Sequence, residues 1–110
     1  MNNRFEYIKN VVICNMKHWE MLCDFANNDY DIHYFNSRAI IDDNVLTEIR
    51  FYERLSEPIN FIEYILNVIS IIKHDLIEKG LDENDVKDVA YLDELRFLTK
   101  VVKQEYENKN

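Results

Sequence analysis

Cys14 and His18 stand four residues apart, and Cys23 follows nine residues after Cys14. On a helix, a four-residue step puts a thiol and an imidazole on one face, a spacing that could chelate a metal. Tetrahedral zinc wants three or four ligands, and His33 or Cys23 would have to supply the rest. The plainer reading, a small buried thiol beside a surface imidazole, is preferred, and no metal or other cofactor is expected. His74 and Asp75 are adjacent, but neighbours on a helix point about 100° apart, so they form no dyad by themselves. One glycine cannot build a phosphate cradle, and no nucleophile elbow or P-loop occurs. Catalysis is therefore not expected, and the chemistry that remains is recognition. Trp19, Tyr30, Tyr34, Phe35, Tyr52 and Tyr91 are the candidate partner-binding residues, because aromatic side chains anchor protein interfaces. Each has a competing structural role. Trp19 lies on an apolar helical stripe and could pack in the core, and Tyr30, Tyr34 and Phe35 could plug the end of a bundle.

The elements that would carry these residues are helices. Residues 4–27 repeat Phe5, Ile8, Val12, Met16, Trp19, Leu22 and Ala26 at three- and four-residue steps, the stripe of an amphipathic helix. Residues 28–36 have turn formers and some alternation, so they are expected to be a loop with extended character. Asp43 is the expected cap of a shorter helix through Leu55. Ser56-Glu57-Pro58 marks another start, since Ser caps well and Pro suits a first turn. That helix, about 57–79, ends at Gly80. Asp82 and Asp85 resemble a capping box ahead of a last helix to about Tyr106. Ten of the fourteen residues from Ile59 to Ile72 are apolar or aromatic. A helix apolar around most of its circumference must be buried on most sides, so 57–79 is expected to be a central helix wrapped by the others.

The 110 residues fit a single helical domain, 1–110, of all-α class. One Gly and one Pro are too few for a turn-rich β architecture. The net charge of −8 repels DNA, RNA and anionic lipid, so no nucleic-acid partner is expected. Eight carboxylates crowd residues 75–94 against Lys79 and Lys87; a solvated surface is the plain reading, and a contact patch for a basic partner the functional one. The most apolar stretch is too short and too polar to span a bilayer. Cys14 and Cys23 would lie about 13 Å apart along one helix, too far for a disulfide. With free thiols, and an N-terminus that leads straight into an amphipathic pattern, a cytoplasmic protein without a leader is expected.

The run Tyr52-Glu53-Arg54-Leu55-Ser56-Glu57-Pro58-Ile59-Asn60-Phe61-Ile62-Glu63 resembles the signature of the poxviral Bcl-2-like proteins, R-L-x-x-P-x-N-x-I-E, which enters a long hydrophobic helix. Arg54, Leu55, Pro58, Asn60, Ile62 and Glu63 match, and the resemblance covers about 30 of the 110 residues. It implies a Bcl-2-like helical bundle around a central hydrophobic helix. It also implies a function: binding a host signalling or pro-apoptotic protein in the host cytoplasm, to inhibit innate immune signalling (NF-κB or interferon) or apoptosis. Many such proteins form homodimers. The chain lacks the Asn-Trp-Gly-Arg element of cellular Bcl-2 proteins, which favours the signalling branch over the apoptotic one.

Two other classes stay open. A small acidic phage or viral inhibitor that mimics nucleic acid would array the 75–94 carboxylates in rows on one exposed face. A bacterial immunity or antitoxin-like module would use the same helical scaffold against a cognate toxin.

Overall fold

The computed structural model describes residues 3–55 and 59–108, and all their regular structure is helical: α1 (Asn3–Phe25), α2 (Asp29–Glu53), α3 (Phe61–Glu78) and α4 (Val86–Asn108). Phe5 meets Tyr52, and Cys23 Sγ donates to the Ile32 carbonyl at 3.6 Å, so α1 and α2 run antiparallel. No described helix is long and apolar enough to cross a membrane.

The start of α2 corrects the expectation for residues 28–36, which are helical from Asp29. The Asn28 side chain accepts the Asp31 N–H at 2.9 Å, and Asp29 and Asp31 sit where the helix dipole favours negative charge. Asp43 is consequently no cap. It lies exposed within α2, where its carbonyl accepts the Thr47 hydroxyl at 3.0 Å. α2 runs unbroken to Glu53, because Ile41, Val45, Leu46 and Ile49 are buried along its length.

α3 begins at Phe61, with Asn60 as its cap accepting the Glu63 N–H at 3.1 Å. Ser56, Glu57 and Pro58, the expected start, lie outside the described residues. The stop falls where expected: Lys79 is the C-cap and Gly80 follows with φ 88°, the left-handed conformation that glycine adopts without a Cβ penalty. At α4, Asp85 caps by accepting the Lys87 N–H at 2.8 Å. Asp82 accepts the Asn84 N–H at 2.8 Å, and its own N–H donates to Asp88. The capping box therefore resolves into a turn followed by a single cap.

The core joins Phe5, Ile8 and Val12 of α1 to Ile41, Val45 and Ile49 of α2, Phe61, Ile65 and Ile69 of α3, and Leu95, Leu98 and Val102 of α4. Each such side chain contributes about 1.5–3 kcal/mol when fully buried. The wrapped central helix is not α3. α2 and α4 each pack against all the other helices, while α1 and α3 flank that pair and meet at one end through the Phe5 and Phe61 rings, 4.7 Å apart. α3 buries one side only, leaving Ile71 52% and Ile77 53% exposed. Its surplus apolar surface faces outward.

Candidate functional site

Two regions concentrate side chains beyond what packing requires. The first lies among α1, α2 and α4. Glu94 and Asp42 are fully buried. Arg38 makes a 2.6 Å ion pair with Glu94 through Nη2, and its Nε donates to the same oxygen. The Asn15 amide donates to Asp42 at 3.2 Å and also to Glu94. Trp19 Nε1 donates to Glu94 at 3.3 Å, and the Arg38 guanidinium lies 4.3 Å from the Trp19 ring centre. Arg38 Nη1 donates to the Tyr34 hydroxyl, which donates to Asp93 at 2.7 Å.

Two buried carboxyl groups beside one guanidinium cannot both ionise cheaply. Burial, then a hydrogen bond with Glu94 and its charge, pushes the Asp42 pKa up to about 10, against the opposing pull of Asn15 and Arg38. Asp42 thus holds a proton at neutral pH, and its buried Oδ1 has no hydrogen-bond partner among the described residues. A carboxylic acid beside a carboxylate and an arginine is acid–base equipment in kind. Here the groups bond mainly to one another, Asp42 Oδ1 excepted, and among the described residues neither Asp42 nor Glu94 lines any of five surface grooves.

The second region is open. A groove of about 480 Å³ runs between α2 and α3 and the start of α4, lined among others by Ile40, Ile41, Ile72, Leu76 and Tyr91. It shares Asn44, Ile72 and Asp75 with an adjoining groove of about 360 Å³ that adds Thr47, Glu48, Val68 and Ile71. Together they follow α3 from Val68 to Lys79, roughly 17 Å at 1.5 Å per residue. Ile40 is 40% exposed and Ile71 52%. Asp75, Asp88 and Glu48 line the groove against one cation, Lys79.

The six aromatic candidates divide between these regions and the core. Trp19 and Phe35 are half-buried and stacked 5.8 Å apart, over the polar cluster. Tyr34 belongs to the cluster, and burial followed by its Asp93 hydrogen bond raises its pKa above the ordinary tyrosine value. Tyr30 is exposed and stacks on Tyr34 at 6.4 Å. Tyr52 packs among Phe5, Phe61 and Tyr64 and donates its hydroxyl to the Ile59 carbonyl at 2.6 Å. Tyr91 packs against the core and lines the groove.

The acidic run 75–94 is no uniform face. Glu94 is buried, Asp82 and Asp85 accept backbone N–H groups, Asp88 bonds back to the Asp82 N–H, and Asp93 holds Tyr34. Both thiols are free. Among the described residues, no three His, Cys, Asp or Glu side chains gather as a metal-holding set.

Sequence reading missed Arg38, Asp42, Glu94 and the groove. Glu94 stands four residues from both Ala90 and Leu98, on the buried stripe of α4, and that spacing was the available signal. Comparison of the chain with protein-family models, with curated proteins and with solved structures finds no match.

Proposed function

We propose that this protein acts by binding rather than catalysis, holding an amphipathic helix of a partner protein in the α2/α3 groove. The carrying observation is the continuous opening along α3, with Ile40 and Ile71 exposed beside Ile72 and Leu76, and with Glu48, Asp75 and Asp88 around it. Helix-in-groove recognition wants an apolar trough read at i, i+3, i+4 and i+7, and three helical turns fit the length. The acidic lining selects a helix with basic residues beside its apolar stripe. Calorimetric titration with a synthetic helix of leucines at those spacings, flanked by lysines, tests this. Saturable binding that Ile71→Asp abolishes is expected. Equal affinity for Ile71→Asp rejects the groove.

The narrower proposal, drawn from the resemblance, makes the partner a host signalling or pro-apoptotic protein and the chain a viral Bcl-2-like inhibitor. It rests on Arg54, Leu55, Pro58, Asn60, Ile62 and Glu63. Asn60 and Ile62 have local roles as cap and core residue, and the central position of α2 lends that reading no support. Titration with a pro-apoptotic BH3 peptide separates the two branches: binding in the α2/α3 groove favours the apoptotic branch, and none leaves the signalling branch.

The homodimer that the resemblance implies has a face available. Tyr7, Met21 and Phe25 are 51%, 47% and 76% exposed on the side of α1 opposite Val12. Sedimentation of Phe25→Glu against the parent chain decides it: a dimer lost on substitution supports the face, and a parent monomer removes it.

A further inference from the structure

α3 and α4 frame a surface of the opposite sign. In a chain of net charge −8, Arg96, Lys100 and Lys103 stand at four- and three-residue spacing along α4, and Lys73 reaches the same groove from α3. The groove has a volume of about 420 Å³, and Leu92, Leu95 and Thr99 also line it. Among the described residues, ion pairs engage Lys9, Arg38 and Arg96, the last through a long 3.9 Å contact with Asp93. None engages Lys73, Lys100 or Lys103. Like charges one helical turn apart repel, a cost that a bound anion would relieve.

The ends of the groove limit what that anion is. Glu107 lines one end. At the other, Leu92 and Arg96 adjoin a pocket bounded by Asp82, Glu83 and Asp93. The cationic stretch from Arg96 to Lys103 is therefore about 10 Å long, seven residues of helix. A nucleic-acid backbone continuing past either end would meet carboxylates and the field of an acidic protein. We infer that the α3/α4 groove binds a short acidic segment of a partner protein, with carboxylates spaced over two helical turns against Lys73, Arg96, Lys100 and Lys103 and an apolar side chain set on Leu92 and Leu95.

Here the occupant is acidic, whereas the α2/α3 groove takes a basic helix, so the two surfaces succeed or fail separately. The probe is a labelled synthetic helix of about 16 residues, with glutamates at three- and four-residue spacing around two leucines, titrated by fluorescence anisotropy. A matched helix with Gln for Glu and a single-stranded DNA of similar length are run beside it. The acidic helix is expected to saturate, to weaken with salt, and to lose roughly tenfold or more in affinity for Lys100→Glu/Lys103→Glu. Lys100→Gln/Lys103→Gln, which removes charge without reversing it, is expected to fall between. All four side chains are exposed, and circular dichroism confirms that the variants stay folded. No saturation by the acidic helix, unchanged affinity in both variants, or tighter binding of the DNA overturns the inference.

Discussion

α2 presents opposite arrangements on its two sides. Toward α1 and α4, Arg38 and Asp42 meet Glu94, Asn15 and Trp19, and the polar atoms converge on one another. Toward α3, Ile40 and Asn44 border a groove whose apolar walls face solvent. Burying a carboxylate costs several kcal/mol unless a charge or a proton compensates it, and the cluster supplies both: Arg38 for Glu94 and a proton for Asp42. With its charges compensated, the cluster leaves one buried oxygen unbonded among the described residues, Asp42 Oδ1, closed off from solvent. In the groove the surplus is apolar area, which gains about 25 cal/mol per Å² when a partner covers it. Chemically suggestive residues thus end up as structure, and unremarkable isoleucines become the candidate function.

The sharpest way to break this contrast is to remove one partner from each region. Arg38→Met leaves the Glu94 charge buried and unpaired, and should lower unfolding free energy by about 3–5 kcal/mol in urea denaturation. Ile71→Ala, on the groove wall, should stay within about 0.5 kcal/mol of the parent chain. Comparable losses in both would mean that the groove is core.

A second test uses pH. The folded-state pKa of Asp42, about 10, lies above its ordinary value, so the folded chain binds one more proton than the unfolded chain between those pH values. The stability this gives is fully present below about pH 4 and is lost as pH rises toward 10. Between pH 5 and 8, stability should therefore fall with a limiting slope of about 1.4 kcal/mol per pH unit from this group. Asp42→Asn, which stays neutral, should remove that slope in denaturation curves taken across the range. A slope unchanged in the variant would mean that Asp42 carries no proton when folded.

A smaller effect is expected at the end of the groove. Gly80→Ala has open space around its Cβ but must hold φ at 88°, so it should cost roughly 1 kcal/mol through backbone strain alone. Thermal unfolding reads it, and no change would mean that the turn after α3 relaxes freely.

Much of the helical frame was legible. α1 shows its stripe from Phe5 to Leu22, and α3 stops at the glycine that its C-terminus requires. The first half of α2 was not, because its inward positions include Ser37, Arg38 and Asp42, which carry no apolar period. Their partners, Asn15, Trp19 and Glu94, lie far away in sequence and become neighbours only once the helices pack. Trp19 lies on the α1 stripe that the sequence shows, yet its bond to Glu94 has no local sign. The groove is hidden differently: apolar residues around most of α3 predict burial on most sides, whereas Ile71 and Ile77 remain outside.

In the proposed reading, recognition belongs to the α2/α3 groove, and the Arg38–Glu94 cluster holds the helices together. Nuclear magnetic resonance titration of the labelled protein with the lysine-flanked helix tests it most directly, since the Trp19 indole N–H reports on the cluster in the same spectrum. Saturable shifts are expected at Ile40, Asn44, Ile71, Ile72 and Leu76, with the Trp19 indole unmoved. Shifts centred on Trp19 and Arg38, or no saturable shift at any concentration, would contradict it.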